Sequence, residues 1–440
     1  MNQFLGMDNL MDFFKITSNP VFAQFYNDVL QRNEDFNLDM HGAEWAPIQN
    51  VFTYEVWEQY NDIEVMATFL DLDSDPHAIG GSAQFSKYTG SIPRHKAMTQ
   101  LDEPDYREKL KQTYELQAAT AMLGGDVSAA VRSRLEEYLY DKLSALPTAH
   151  KNTLNYMIGQ RKSKLEFELT AKNNPQGIKG LKFQSHVPAE NRHTVKFWTV
   201  EADGNIKYND TVNPVEYIQQ LVYDIKNDPF NGYDTVEMEM NRKSFVTLLK
   251  HPVWAKTIAY ALDSSFYKVA NNDANATLFG QTWMLTASLE QKLNIFKQIC
   301  DIDAVHLYTA QTGVEFIEKM TDAAPKLTRK KMECFDEGSM LLRPTGTILK
   351  VIPVAPMRPD RSAISTTIFG GRGILEYWYE PRYKQQFWRS ELTCLPVFTN
   401  PTLIHSVSFV EDQRPETLSL TKANQVAVAT TSRKTGKATE

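Results

Sequence analysis

The sequence predicts an α+β fold, and three observations lead to that prediction. Apolar residues recur at helical spacing in some segments and alternate in others, and the two kinds of segment follow each other without a regular βα order. No internal repeat is evident along the chain. The 440 residues, 42% hydrophobic and 23% charged, have the composition of a globular protein long enough for two or three compact units.

The charge balance and the cysteines narrow the class of protein. Lysine and arginine number 47 against 54 aspartates and glutamates, and this net charge of −7 argues against a protein that holds nucleic acid by basic charge alone. Met1 to Leu10 lacks the pattern of a secretory signal, and no apolar run approaches the ~18 residues of a membrane span. Cys300, Cys334 and Cys394 are far apart, which is typical of a reducing compartment. We therefore expect synthesis in a cytoplasm and no membrane partner.

Residues 1–50 are interpreted as an N-terminal arm. Helical spacing of apolar residues recurs between Met7 and Phe14 and again between Val21 and Val29, and no strand pattern is present. Short amphipathic helices need an apolar surface to cover. That surface is either the core of the same chain or a neighbouring molecule.

Residues 51–100 are interpreted as an extended loop. β-prone runs lie at 54–67 and 85–88, and the turn-rich segment 71–76 and the pair Gly80-Gly81 separate them. A segment of this length with little core of its own is a functional loop or a docking element.

Three helices are predicted after the loop. The first spans 102–122, and the second carries an apolar stripe from Val127 to Leu143. Pro147 is expected to end the second helix, and a third is expected to start near Thr148.

An excess of basic residues overlaps these helices. Between Lys142 and Lys182 there are eight basic residues against two acidic ones, Glu166 and Glu168. Such a segment is either a solvated face or a contact with a polyanion or an acidic neighbour.

A hairpin and a mixed α/β stretch follow. Leu165, Phe167 and Leu169 alternate before the turn at 173–177, and residues 178–183 return. The elements predicted for the mixed stretch are a helix starting at Asn213-Pro214, a strand through Val236, Met238 and Met240, a helix through Phe245 to Leu249, a helix through Leu289 to Phe296, a strand at Val305 and Leu307, and a hairpin of 340–342 with 347–352 around Arg343 to Gly346.

In the last part of the chain the sequence pattern predicts two strands, at 374–379 and 403–409, and a polar tail.

An aromatic cluster lies in the same part of the chain, beside Arg382, Lys384 and Arg389. It consists of Trp378, Tyr379, Tyr383, Phe387 and Trp388. Aromatic and cationic side chains together suit a protein interface, and core packing is the alternative for most of them.

The sequence carries no recognisable motif for metal binding or catalysis. The nine histidines include no His-x-x-x-His pair, and no two cysteines lie within four residues. A calcium-loop start at Asp71, Asp73 and Asp75 fails, because Pro76 stands where glycine is needed and Ser82 where glutamate is needed. The glycine-rich 370–373 lacks the lysine and helix of a phosphate loop, and no Gly-x-Ser-x-Gly elbow occurs. We expect neither a cofactor nor a metal.

Four stretches carry a resemblance to a known family. They are Phe183-Gln-Ser-His-Val-Pro-Ala-Glu-Asn191, a strand leading to a proline; Val236 to Leu249, a strand and a helix ending in Leu-Leu; Asp336-Glu-Gly-Ser-Met-Leu-Leu-Arg-Pro-Thr-Gly346, an acid-glycine, apolar strand and Pro-x-Gly turn; and Leu395-Pro-Val-Phe-Thr-Asn-Pro401. In this order they resemble the major capsid protein of tailed double-stranded DNA bacteriophages, especially the lambda-type branch of the fold shared with herpesvirus floors and encapsulins. The likeness spans most of residues 50–410, and none of the motifs is catalytic.

The resemblance implies a tailed-phage major capsid fold with defined parts. These are an N-terminal arm at 1–50, an extended loop at 51–100, a peripheral domain with a spine helix at 101–193, an axial domain at 194–360, returning peripheral-domain strands at 361–410 and a C-terminal tail at 411–440. It also implies that the loop contacts a neighbouring subunit through Asp71, Asp73, Asp75, His77, Phe85, Lys87 and Tyr88. The interface aromatics expected with it are Trp378, Tyr383, Phe387 and Trp388.

The function implied is structural, without enzymatic activity. Copies of the chain would form the hexamers and pentamers of an icosahedral phage head that encloses double-stranded DNA without sequence-specific binding. Expected partners are further copies, a portal and decoration proteins where a head carries them. Because about fifty residues precede the loop, we expect that a separate scaffolding protein guides assembly or that none is needed. The location implied is the virion capsid, assembled in the bacterial host cytoplasm. The alternatives are an encapsulin-like compartment and a soluble cytoplasmic enzyme with dispersed catalytic residues.

Overall fold

A computed structural model gives the fold of most of the chain. It describes residues 40–59, 85–101, 127–175, 177–228, 235–262, 273–318, 326–346, 348–356, 364–380 and 385–413. The strands are β1 (Ala43–Trp45), β2 (Thr53–Gln59), β3 (Phe85–Ser91), β4 (Arg94–Leu101), β5 (Glu166–Glu168), β6 (Lys182–Gln184), β7 (Arg192–Val200), β8 (Ile206–Tyr208), β9 (Val236–Asn241), β10 (Ala304–Tyr308), β11 (Gln311–Glu318), β12 (Lys326–Glu333), β13 (Ser339–Pro344), β14 (Leu349–Pro353), β15 (Ile364–Ile368), β16 (Gly373–Glu380), β17 (Gln385–Phe398) and β18 (His405–Asp412). The helices are α1 (Val127–Lys164), α2 (Pro214–Lys226), α3 (Arg242–Leu249), α4 (Pro252–Leu262), α5 (Asp273–Thr286) and α6 (Leu289–Cys300), with a short 3₁₀ helix at Pro401–Leu403.

Two six-stranded sheets organise these elements. The central sheet has the order β10-β9-β13-β18-β7-β8. The second sheet has the order β1-β14-β17-β16-β15, and β4 pairs with β17 as its sixth strand. One cluster of buried apolar side chains draws on both sheets and on the helices. The mixture of helices and largely antiparallel sheets confirms the predicted α+β class.

The long helix α1 contacts both sheets. His150 of α1 contacts Ser390 of β17, and Lys162 of α1 contacts Glu239 of β9. Side chains from residue 154 to residue 163 are all buried, so this half of the helix lies inside the protein.

Pro147 does not end a helix, which corrects the prediction of two separate helices. α1 runs for 38 residues with Pro147 inside it. A proline removes one backbone hydrogen bond of a helix. In the same turn the Thr148 hydroxyl donates to the Ser144 carbonyl at 2.8 Å, and Leu146, Pro147 and His150 are buried. Tertiary burial therefore outweighs the local cost of the proline.

The predicted hairpin around Arg343 to Gly346 is also corrected. β13 lies in the central sheet between β9 and β18, whereas β14 lies in the second sheet between β1 and β17. Gly346 has a φ of +123°, a conformation that favours glycine. Arg343 is held in the central sheet by carboxylates of β9, so the chain leaves that sheet after β13 instead of turning back along it.

Other local predictions are confirmed. The hairpin of β5 and β6 forms with Phe167 opposite Phe183, and the two rings stack with centroids 6.1 Å apart. α2 begins at Pro214 as predicted, because the Asn213 side chain accepts hydrogen bonds from two backbone N–H groups of the first turn. The predicted arm helices, the helix at 102–122 and the tail beyond residue 413 lie outside the described residues. No described helix combines the length and the apolar character that a membrane crossing needs.

Candidate functional site

The first candidate surface is a two-stranded ribbon, formed by β2 and β3. These strands pair antiparallel from Thr53 opposite Ser91 to Gln59 opposite Phe85, and neither pairs with another described strand. At the base of the ribbon Tyr54 is 4% exposed, and its ring packs so closely on Gly90 that a Cβ there would lie 2.6 Å from it. Glycine at position 90 therefore lets Tyr54 anchor the ribbon.

The ribbon holds three of the loop residues predicted to contact a neighbour. Phe85 pairs with Gln59 at the start of β3. Lys87 is exposed and lies 2.8 Å from Glu55 across the ribbon. Tyr88 is half-buried and stacks on His186 at 5.0 Å, so it has a partner within its own chain. The other four predicted residues, Asp71, Asp73, Asp75 and His77, lie outside the described residues.

The predicted interface aromatics occupy different positions. Trp378 of β16 lies opposite Phe387 of β17 in the second sheet. Phe387 is half-buried, whereas Trp388 is 3% exposed and belongs to the apolar core. Core packing, the alternative noted for this cluster, therefore holds for Trp388 in the single chain. Tyr383 lies outside the described residues.

Only some of the basic side chains in the segment 142–182 are exposed. Arg161 and Lys162 are both fully buried. Arg161 donates hydrogen bonds to the backbone carbonyls of Gln184 and Pro396, and it thereby ties α1 to β6 and β17. Burial lowers the pKa of Arg161 to about 10, so the guanidinium stays charged at neutral pH. Neither side chain is available to an external polyanion.

Lys162 belongs to a layer of buried charges between α1 and the central sheet, here named the ionic layer: Lys162, Glu237, Glu239 and Arg343. Lys162 Nζ donates to Glu239 Oε2 at 2.7 Å and also to the His41 carbonyl. Arg343 Nε donates to Glu239 Oε1 at 2.6 Å. Arg343 Nη2 lies 2.6 Å from Glu237 Oε2, a charge contact without hydrogen-bond alignment. Two cations and two carboxylates balance each other, which buried charges require.

Strand register explains how the ionic layer forms. Arg343 of β13 and Ala304 of β10 both lie opposite Glu237. Side chains two residues apart on a strand share a face, so Glu237, Glu239 and Arg343 point to the same side of the sheet, toward α1. The alternation of Val236, Met238 and Met240 predicts the strand, and the structure buries all six residues of β9, including both glutamates.

The electrostatics of the ionic layer keep Glu239 ionised. Burial by itself would raise the pKa of Glu239, but the charges of Lys162 and Arg343 outweigh burial and lower that pKa to about 2. The Tyr308 hydroxyl also donates to Glu239 Oε2 at 2.7 Å. Burial raises the pKa of Tyr308, so the hydroxyl keeps the proton that it donates. The ionic layer suits the joining of elements better than proton transfer.

A second polar cluster joins β4, α1 and β17. His95 Nδ1 lies 2.9 Å from His150 Nδ1, His95 Nε2 lies 3.4 Å from Cys394 Sγ, and His150 Nε2 lies 2.8 Å from Ser390 Oγ. Residue types of nucleophilic catalysis thus meet although they are distant in sequence. Ser390 and Cys394 have no exposed surface, however, and burial raises the pKa of Cys394. The nucleophiles are therefore inaccessible, and the cluster acts as packing.

Comparison with known proteins gives matches only at the level of structure. No protein-family model and no curated protein sequence matches the chain. The chain is similar to the mature capsid of bacteriophage PhiM1, with 10% identity, a TM-score of 0.39 and coverage of 85% of this chain and 87% of that one. It is similar to a chain of the procapsid of satellite phage P4, with 9% identity, a TM-score of 0.38 and coverage of 88% and 99%. It is also similar to a virus-like particle from Pyrococcus furiosus, with 10% identity, a TM-score of 0.33 and coverage of 87% and 96%.

Proposed function

We propose that the chain is a major capsid protein, a structural subunit whose copies form the hexamers and pentamers of an icosahedral phage head around double-stranded DNA. The observation that carries the proposal is the ribbon of β2 and β3. Its strands have no third partner among the described residues.

A two-stranded ribbon without a third strand gains stability from a further surface to lie on. A two-stranded hairpin is marginally stable in water, and both of its edges offer unpaired backbone groups. A neighbouring subunit supplies the missing contacts at no cost to the fold of either chain. Contacts of this head-to-tail kind close into rings when the rotation between subunits allows it.

The ribbon is also firmly attached to the chain's own core. The Ile92 N–H donates to the Phe52 carbonyl at 2.8 Å, and Ile92 is 6% exposed. Directly after it, β4 joins β17 in the second sheet. A ribbon anchored in this way has a fixed direction, which a repeating contact between subunits requires.

Exposed apolar side chains provide further contact surface. Ile178 is 70% exposed beside the β5–β6 hairpin, and Leu278 and Leu285 on α5 are 63% and 79% exposed. Leu278 and Leu285 are two helical turns apart and so lie on the same face of α5, and grouped exposed apolar residues are typical of protein interfaces. They support association of copies through more than the ribbon.

The proposal includes the domain assignment and the partners that the resemblance implies. The ribbon belongs to the extended loop of residues 51–100, α1 is the spine helix of the peripheral domain 101–193, and the central-sheet strands β9, β10 and β13 lie in the axial domain 194–360. A separate scaffolding protein, a portal and decoration proteins are the proposed partners. The proposed location is the virion, after assembly in the host cytoplasm.

The experiment combines two measurements on the full chain. Size-exclusion light scattering and negative-stain electron microscopy are applied with and without co-expressed neighbouring head genes. Closed shells, tubes or hexamer rings are expected. A monomer or dimer under every condition would overturn the proposal and favour the dispersed-site enzyme.

Limited proteolysis then tests the loop. We expect cleavage between about residues 71 and 90 in unassembled subunits and protection after assembly. Equal cleavage in both states would contradict the loop assignment. The contents of purified shells distinguish a phage head, which contains DNA, from a compartment, which contains cargo protein.

A further inference from the structure

Two histidines and a carboxylate meet at the edge of the ionic layer. His41 Nε2 lies 3.4 Å and His306 Nε2 lies 3.1 Å from Glu237 Oε2. One ligand atom from each of the three residues lies within 4.8 Å of the other two. The three residues are distant in sequence, so spacing rules for metal motifs do not find them.

We propose that His41, Glu237 and His306 form a binding site for a divalent transition-metal ion of the zinc type. Two imidazoles and one carboxylate are a common ligand set for Zn²⁺ and for its substitute Co²⁺. Zinc bonds of 2.0–2.1 Å in tetrahedral geometry place ligand atoms about 3.4 Å apart. The distances of 3.1 and 3.4 Å from Glu237 Oε2 to the two imidazoles are close to that spacing. The rings of His41 and His306 stack with centroids 3.6 Å apart, so a side-chain rotation is needed to direct both nitrogens at one ion.

The site is open to solvent on one side. The side chain of His41 is 49% exposed and that of His306 is 23% exposed, whereas that of Glu237 is 7% exposed. An ion can therefore enter from the surface and keep a water molecule as its fourth ligand.

Backbone contacts hold His41 in position. Its carbonyl accepts a hydrogen bond from Lys162, and the next carbonyl, that of Gly42, accepts from the N–H groups of Ile348 and Leu349 at 3.2 Å each. Gly42 has a φ of +66°, and a Cβ there would lie 2.9 Å from Arg343 Nη2. Glycine thus allows the turn to approach the ionic layer, and outer contacts of this kind orient metal ligands.

Arg343 does not prevent binding, although it also contacts Glu237. Its Nε is paired with Glu239, so the guanidinium keeps a carboxylate partner when Glu237 turns toward the ion. The proposed position of the ion is beside His306 Nε2 and Glu237 Oε2, which lie 3.1 Å apart. The effect of the ion is to fasten the turn before β1, and through β1 the second sheet, to strands β9 and β10 of the central sheet.

The test measures metal binding by the unassembled full-length chain after chelator treatment. Calorimetry with Zn²⁺ and visible absorption with Co²⁺ are compared for the wild type, His41→Ala, His306→Asn and the double variant. The control is His193→Asn. His193 stacks on His405, as His41 does on His306, but no third ligand completes that pair among the described residues.

We expect one ion per wild-type chain, a tetrahedral Co²⁺ spectrum and a melting temperature that Zn²⁺ raises. Each site variant should weaken binding about tenfold or more, a loss typical of damaged metal sites, and His193→Asn should leave it unchanged. Binding by the double variant as tight as by the wild type, or no binding by the wild type, would overturn the proposal. Because the measurement needs no shells, its outcome is independent of the proposed capsid function.

Discussion

Lys162 of α1 and Glu239 of β9 form an ion pair of 2.7 Å in which neither side chain has any exposed surface. The pair joins the long helix to the central sheet across a layer that would otherwise be apolar. Its desolvation cost is offset because Glu239 also accepts hydrogen bonds from Arg343 and Tyr308. The alignment of helix and sheet therefore depends on a specific set of polar contacts as well as on apolar packing.

Replacing Arg343 by lysine should destabilise the fold by about 3 kcal/mol, because the buried carboxylates of Glu237 and Glu239 lose part of their charge contacts although Lys162 still pairs with Glu239. A lysine keeps the charge but cannot span Glu237, Glu239 and the carbonyls of Pro344 and Gly346 together. Denaturant unfolding measures the change. Arg329→Lys, on a side chain that is 78% exposed and paired with Glu315, is the control and should change stability by less than about 0.5 kcal/mol. Equal effects of the two variants would contradict the role given to the ionic layer.

A methyl group at Gly159 should disrupt the packing of α1. A Cβ there would lie 2.3 Å from the Cys334 carbonyl oxygen, which is backbone and cannot swing away. Gly159→Ala should therefore cost about 2 kcal/mol or more through overpacking. Gly313→Ala, where a Cβ meets nothing within 4 Å, is the matched control and should be close to neutral. Thermal unfolding of both variants measures the difference. A similar fall in melting temperature for the two would indicate a general effect of replacing glycine and would contradict the packing contact at Gly159.

Acid should weaken the fold through His150. Burial lowers the pKa of His150 to about 4, against 6.5 for an exposed histidine. Between these values the unfolded chain binds more protons than the folded chain, so the stabilisation present above pH 6.5 is lost as the pH falls toward 4. The loss is about 3 kcal/mol for this histidine. His150→Gln should therefore make the unfolding free energy depend less steeply on pH between about 4 and 6.5. The same pH dependence in the variant and the wild type would contradict this role of His150.

Exchanging the charges of Glu55 and Lys87 on the ribbon tests whether Lys87 contacts only its own chain or also a neighbouring chain. Lys87→Glu removes the ion pair with Glu55 and should reduce assembly severalfold, because the exposed side chain is expected to meet a neighbour. The double variant Glu55→Lys, Lys87→Glu restores the pair within the ribbon but not a contact to another subunit. We expect its melting temperature to match the wild type and its yield of shells, counted by electron microscopy, to stay low. Full recovery of assembly would limit Lys87 to a role inside its own chain.

Local signals were enough to predict part of the fold. Asn213 followed by Pro214 specifies a helix start through contacts within one turn, and the alternation around Phe167 specifies a hairpin. Such features depend on neighbours in sequence, and the structure confirms both. The α+β class follows from the same patterns.

The remaining features depend on partners that are distant in sequence. Nothing near Glu237 and Glu239 in the sequence shows that Lys162 and Arg343 neutralise them, so the strand pattern does not predict the burial of these two carboxylates. Pro147 ends helices in isolation but not where tertiary contacts bury the surrounding turns. A signal was available in the apolar run Met340 to Leu342 that ends in Arg343, since an arginine in a buried strand implies a buried acid.

The position of β18 in the central sheet has a consequence for biosynthesis. This strand, at His405–Asp412, lies between β13 and β7, whose residues leave the ribosome much earlier. The sheet therefore stays divided until residue 412 has been made, and pairing over such sequence separations is slow. A nascent chain therefore cannot complete its central sheet before this late strand has been translated. Folding of the sheet is a step that needs almost the whole chain.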